Sequence, residues 1–278
     1  MKIGFIGLGN MATAIIGGLL REDTALSSED GNVTVITVAN IIGSAKTEAT
    51  RQKRAEQFGI AVTASNREVA EAADVLVLAV KPQFFPEVIA EIRDAVSENT
   101  LVISIAAGLT LERIAGLFDR NVTAMRLIRC MPNTPALVNA GCTAVVPGPG
   151  ATEADEALCL RLMESFGRAI VIPERLMDAA SATAGSSPAF VFMFIEALAD
   201  GAVAAGMPRA QAYEFAAAAV AGSAQLVLET GRHPGDLKDM VCSPGGTTIE
   251  GVRALEEGAF RASVMNAISA CVEKAKAL

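Results

Sequence analysis

Short apolar runs alternate with amphipathic stretches through the first part of the chain. Residues 2–6 (KIGFI), 33–39 (VTVITVA), 75–80 (VLVLAV), 101–105 (LVISI) and 122–129 (VTAMRLIR) read as strands, and segments such as SNREVAEAA and FFPEVIAEIRDAV between them as helices. Near-continuous apolar strands alternating with helices predict a parallel sheet covered on both faces. GCTAVVP and AIVIP predict a return pair that extends the sheet around a helix near 152–166. After residue 173 the β-branched runs stop, and 188–205, 208–230 and two pieces beyond Pro244 read as helices. Pro188 after Ser186 and Ser187, and Pro208 after Gly206, are start and stop signals for two successive helices. The pattern therefore predicts an α/β domain over 1–173 and an all-helical domain over 174–278, whose small residues suit close packing against another subunit.

The opening stretch MKIGFIGLGNMATAIIGGLL carries no charge between Lys2 and Arg21. Two readings compete for it. A secretory signal needs a continuous apolar core and a cleavage site, but Gly4, Gly7, Gly9, Gly17, Gly18 and Asn10 interrupt this one. The alternative is strand, glycine turn, helix, the context in which G-x-G-x-x-[GA] denotes dinucleotide binding. There Gly7 allows the turn, Gly9 lets backbone approach a pyrophosphate, and Ala12 keeps the helix close to its strand. The pyrophosphate would lie on the helix N-terminus, where free N–H groups favour an anion.

Composition narrows the classes. A chain of 278 residues, 51% hydrophobic, has room for two domains. No segment looks long and uncharged enough for a transmembrane helix, so no membrane is expected. Five scattered cysteines without a CxxC suit a reducing, cytoplasmic compartment and no structural metal. His233 is the only histidine, which leaves a histidine-based metal site or triad poorly supplied; in TGRHPGD it reads as a solvated turn residue. A net charge of −8 with no Trp and one Tyr argues against nucleic acid.

Ligands of open α/β sheets bind at the C-terminal ends of strands. Past the expected second strand comes Asn40, not the acidic residue that would bind ribose hydroxyls and repel a 2′-phosphate. With Ser44, Lys46 and Arg51 downstream, this leans toward NADP(H), with NAD(H) possible; an ordinary charged helix start explains the same residues. Lys81 in AVKPQ stands at another strand exit, as cofactor contact or surface charge. SIAAG and RCMPNTP end their strands in small or polar residues that a flat nicotinamide ring would fit. The sharpest stretch is LKDMVCSPGGTTIEGVRALEEG, a Pro-Gly-Gly turn entering a helix. It either forms a nest of backbone N–H groups for a small carboxylate, or is closed by a Thr247–Glu250 capping box.

Taken together, GFIGLGNMA, DVLVLAVKPQ, VISIAAG, RCMPNTPALVNAG and HPGDLKDMVCSPGGTTIEG resemble the pyrroline-5-carboxylate reductase family along nearly the whole chain. The resemblance implies a Rossmann-type dinucleotide-binding domain followed by an all-α dimerisation domain, in a homodimer or higher homo-oligomer. It implies NAD(P)H reduction of the cyclic imine pyrroline-5-carboxylate to L-proline. Carried over by position, the cofactor would meet Gly7, Gly9, Asn10, Met11, Asn40, Asn66, Ala79, Lys81 and Ala107. The substrate carboxylate would meet Ser243, Gly246 and Thr247, and the Thr248 hydroxyl would sit near the imine nitrogen.

Three positions depart from the family pattern. Ser187 stands for a Gly and Phe190 for a Tyr in SSPAF, and Met240 stands where an Asn often helps bind the cofactor. Reduction of another small cyclic imine or hydroxy acid is the competing enzyme reading. A nucleotide-binding protein without turnover is the competing class.

Overall fold

The computed structural model describes residues 1–21, 25–27 and 33–276. Contacts divide the chain into two compact units, Met1–Gly185 joined by the residues from Lys274, and Ser186–Glu273.

The first unit is built on strands β1 (Ile3–Ile6), β2 (Ala25–Ser27), β3 (Val33–Val35), β4 (Ile41–Ser44), β5 (Ala61–Thr63), β6 (Val75–Leu78), β7 (Leu101–Ser104), β8 (Leu127–Met131), β9 (Gly141–Pro147) and β10 (Gly167–Val171). Eight of them form one sheet in the order β10-β9-β8-β7-β6-β1-β4-β5, while β2 and β3 pair as a separate antiparallel ribbon. Within the eight-stranded sheet, pairing is parallel except between β8 and β9. The helices are α1 (Asn10–Leu19), α2 (Glu48–Phe58), α3 (Asn66–Ala72), α4 (Phe85–Ile92), α5 (Leu111–Leu117), α6 (Glu153–Glu164) and α7 (Met177–Ala180). Along the strands of the large sheet, period-two alternation splits the apolar residues between the two faces. Ile3, Phe5, Val75, Val77, Leu101 and Ile103 join one core with Ile15, Ile16 and Leu162. Ile6, Leu76, Leu78 and Val102 join the other with Val69, Ile89 and Ile114.

Two expected strands shift. The sheet strand after β1 is Ile41–Ser44, not 33–39, of which only Val33–Val35 is strand and Val38–Asn40 is a 3-10 turn. VTVITVA has the alternation, but the fully buried run is IIGS, which a central parallel position requires. Similarly, the expected strand 122–129 is a 3-10 turn at Val122–Ala124 followed by β8.

The Ser-Ser-Pro segment does not start a helix. A helical run is already under way at α7, widens into a π-helical stretch at Ser181–Ser186 and continues as α8 (Ser187–Ala204). Pro188 has no N–H to offer the carbonyl four residues back. That carbonyl, on Ala184, instead accepts from Asn133 Nδ2 at 2.9 Å. Asn133 Oδ1 accepts from Cys142 N–H at 2.8 Å, so one buried amide ties the loop after β8 to β9 and to the π-helical turn. By length and composition the run Glu174–Ala204 would suffice to cross a membrane, which amends the expectation that no segment would.

The second unit contains α8, α9 (Arg209–Thr230), α10 (Pro234–Val241), α11 (Thr247–Glu257) and most of α12 (Phe260–Lys276). Its buried core is small: Ala199, Ala212 and Ala216 between α8 and α9, with Ile195, Val203 and Met207 packed against them. Small residues let the two helices approach closely.

Candidate functional site

The strand order reverses direction at β1, which lies between β4 and β6, and a crevice opens there beyond the strand ends. The cleft measures about 460 Å³, within the ~300–1,000 Å³ of small-molecule sites. It is lined by Gly7 and Gly9 after β1, Ser44 at the end of β4 with Ala45 and Lys46 after it, Ala64 and Asn66 after β5, and Ala79–Lys81 after β6. Phe84, Glu87, Val88 and Glu91 form its far wall at helical spacing along the segment of α4.

Gly7 has φ +93°, and a methyl there would lie 2.8 Å from Val80 Cγ1 and 2.9 Å from the Ala79 carbonyl oxygen. The turn needs its glycine for both reasons. Gly9 is different: a methyl there would meet no protein atom within 4 Å, although the residue lines the cleft. Space is held open beside the N-terminus of α1, which starts after Gly9 with no side-chain cap and no acidic residue in its first turn. Helix N–H groups are thereby left for an external anion. This is the local geometry a dinucleotide pyrophosphate requires, so the residues fit such a cofactor.

The other expected cofactor contacts distribute unevenly. Asn66, Ala79 and Lys81 line the same cleft as Gly7 and Gly9. Asn10 opens α1, and Met11 follows it with its side chain packed on the core. Ala107 lies past the exit of β7, outside the cleft wall. Asn40 is a correction. It precedes β4, and its side chain accepts from Thr37 N–H at 2.9 Å and donates to the Met1 carbonyl at 2.9 Å. Four strand residues at ~3.3 Å each put it about 13 Å from the cleft end of the strand. The residues that leave β4 toward the cleft are Ala45 and Lys46, and again none is acidic. Arg51 braces this loop by donating to the Ala45 carbonyl at 2.7 Å.

Sequence reasoning missed Phe84, Glu87, Val88 and Glu91. Their i, i+3, i+4, i+7 spacing was the available signal, but it mixes polar with apolar residues and does not read as a core stripe.

In the second unit, His233 is exposed, as expected of a solvated turn residue, and is also the N-cap of α10, its Nδ1 accepting from Gly235 N–H at 3.0 Å. Cys242–Gly246 then leads to α11. Gly245 adopts φ +67°, and Gly246 N–H donates to the Ser243 carbonyl at 3.0 Å. The N-cap of α11 is Gly246, without a side-chain hydrogen bond. Glu250 accepts instead from Arg253, at 2.8 Å from Nη2. The capping-box alternative therefore fails, because Thr247 lies inside the helix and Glu250 is engaged elsewhere. Ser243, Gly246, Thr247 and Thr248 gather around one uncapped helix N-terminus, suited to a carboxylate. Met240 is exposed, with Arg232 Nη1 3.7 Å from its sulfur.

Comparison with known proteins places these features in context. Residues 174–278 match the family model "Pyrroline-5-carboxylate reductase dimerisation", and residues 2–108 match "NADP oxidoreductase coenzyme F420-dependent". The chain is 51% identical to the pyrroline-5-carboxylate reductase of Escherichia coli K12, over 100% of this chain and 98% of that one. The solved structure of the Coxiella burnetii pyrroline-5-carboxylate reductase superposes with a TM-score of 0.89 at 33% identity, covering 99% of this chain and 97% of that one. The Plasmodium falciparum pyrroline carboxylate reductase, solved with NADP bound, superposes with a TM-score of 0.81 at 30% identity over 100% and 97%.

Proposed function

The chain belongs to the pyrroline-5-carboxylate reductase family, and on that premise we propose how its residues divide the work of reducing pyrroline-5-carboxylate to L-proline. It is an NAD(P)H-dependent oxidoreductase acting on a C=N bond. The nucleotide supplies the hydride. Gly7, Gly9, Asn10 and Met11 would receive its pyrophosphate through the N-terminus of α1, and Asn66, Ala79, Lys81 and Ala107 would line its path. Asn40 is left out of this set.

We favour NADP(H) over NAD(H). No carboxylate stands at the exit of β4, and Lys46 lines the cleft where a 2′-phosphate would need a cation. NADP in the Plasmodium relative supports the same preference. The observation that carries the cofactor assignment is the open space at Gly9 beside an uncapped helix.

The turn before α11 would hold the substrate carboxylate through Ser243 and the N–H groups of Gly246 and Thr247. Thr248 would orient the imine nitrogen. A protonated imine is already electrophilic, so no strong general acid is needed and the lone histidine can serve as a helix cap. Alignment of two held reactants is the largest contribution available to such a bimolecular step.

We take residues 174–278 as the dimerisation and substrate domain of a homodimer or larger homo-oligomer, and the run Glu174–Ala204 as a dimer-forming helix, not a membrane span. A cytoplasmic location suits the five free cysteines among the described residues.

The test is loss of nicotinamide absorbance with pyrroline-5-carboxylate, run in parallel with NADPH and NADH. Oxidation that yields proline, faster with NADPH, is expected, and Thr248→Val should lower kcat by about 10²-fold. Tight nucleotide binding without oxidation would sink the reductase reading. Faster turnover on the six-membered cyclic imine would transfer it to another substrate.

A further inference from the structure

The far wall of the cleft carries two carboxylates, Glu87 and Glu91, facing a site that should hold an anion. As simple charges both would repel a pyrophosphate. Glu91, however, has a specific partner. Its Oε2 accepts from Asn66 Nδ2 at 2.7 Å, and Asn66 Oδ1 in turn accepts from Ser44 Oγ at 2.7 Å. The Ser44 carbonyl accepts from Gly7 N–H at 3.1 Å. One line of hydrogen bonds thus runs from the glycine turn after β1, past the exits of β4 and β5, to the last turn of α4.

The direction of this line is set at one end. An ionised carboxylate only accepts, so the amide nitrogen of Asn66 must face Glu91 and the amide oxygen must face Ser44. The serine hydroxyl, able to donate or accept, would tolerate either orientation. Reversing the amide would bring its oxygen against the carboxylate oxygen. Ser44 also borders the cleft but is fully buried, with its hydroxyl engaged by Asn66, whereas Asn66 is half-buried and lines the cleft. Of the two N–H groups and two lone pairs on the amide, one of each is used within the protein. One N–H and one lone pair remain, in fixed positions.

We propose that Glu91 is a positioning residue for nucleotide binding, locking the Asn66 amide so that one donor and one acceptor are presented to the cofactor in a single orientation. The proposal rests on Asn66 being a nucleotide contact. Presetting the amide removes an ordering cost that binding would otherwise carry, and this outweighs the repulsion of one exposed, screened charge.

Fluorescence titration of NADPH and NADH into the full-length protein tests it, because the two accounts of Glu91 predict opposite signs. If Glu91 locks the amide, Glu91→Gln frees it to flip, and Kd rises by about three- to tenfold with kcat at saturation unchanged. Glu87→Gln removes the same charge from the same helix face and should lower Kd at low salt. In an Asn66→Ala background, Glu91→Gln should lose its weakening effect and behave like Glu87→Gln. Tightening by both single variants, fading together at high salt, would overturn the proposal and leave Glu91 as a bystander charge. If Asn66→Ala itself leaves both Kd values unchanged, the assignment of Asn66 as a contact fails. If Asn66→Ala weakens binding but Glu91→Gln does not, only the role of Glu91 fails.

Discussion

Gly7 and Gly9 sit two residues apart in one turn, yet substitution should harm the protein in different ways. At Gly7 the backbone has φ +93° and a methyl would press within 3 Å of Val80 and the Ala79 carbonyl. Gly7→Ala therefore strains the turn and should lower unfolding free energy by about 1–3 kcal/mol, read as a reduced denaturation midpoint. At Gly9 the backbone is extended, with φ −75°, and a methyl meets nothing. Gly9→Val should leave the midpoint within about 0.5 kcal/mol of the parent and raise the Kd for NADPH by tenfold or more, since the side chain occupies the space kept for the ligand. Equal loss of stability in both variants would contradict the separation of fold and site argued from this turn. The distinction was partly legible in the sequence, because the motif spacing assigns one glycine to the turn and the other to the ligand.

Elements that are defined by periodicity over several residues were legible; those defined by one end or one partner were not. The sheet of the first unit, the return pair around α6 and the long helices α8 and α9 follow from apolar patterning. β4 was misplaced because VTVITVA is a better alternating run than IIGS, and burial in a central parallel strand overrides alternation. Asn40, also carried over from the family by position, was misassigned along with it. The capping box at α11 failed because the cap fell on Gly246, one residue earlier than the motif requires. At α6 the same motif held: Thr152 Oγ1 accepts from Asp155 N–H at 3.1 Å, and Asp155 Oδ2 accepts from Thr152 N–H at 2.9 Å. Asp155 is buried and also paired with Arg126. Burial alone would raise its pKa, but Arg126 and the two Thr152 bonds outweigh it and hold the carboxyl below its ordinary value of 3.8. The sign follows from this depression. The stabilisation is fully present above the ordinary carboxylate pKa and is lost as pH falls below it and through the lowered folded value. Arg126→Met should therefore reduce stability at pH 7 and flatten its decline below about pH 4, measured by urea unfolding across pH 2–7. An unchanged acid limb would remove this pair from the account.

At the scale of the molecule, the two units differ in how they bury apolar surface. The sheet unit has two cores containing most of its large hydrophobic residues. The helical unit has a core of three alanines with a few partly buried neighbours, while Phe192, Met193, Phe215 and Met265 are each 64–69% exposed. Burying apolar surface is worth roughly 25 cal/mol per Å², and this unit buries little by itself. Single exposed hydrophobics are ordinary, but this many on one small unit mark an interaction surface. Residues 174–278 match a dimerisation family model, and a second copy of the chain is the occupant proposed for this surface. An obligate homodimer has no well-defined monomer stability, so its unfolding midpoint should rise with protein concentration. Light scattering on the parent should give at least twice the 28.7 kDa chain mass. Phe215→Asp combined with Met193→Asp should place charges on that surface, shift the mass toward the monomer and remove the concentration dependence. It should also abolish reductase activity if the helical unit is ordered only within the dimer, while NADPH binding by the sheet unit persists. A doubly substituted protein that remains dimeric with full activity would show that these side chains face solvent in the assembly, and would move the interface to another face of the same helices.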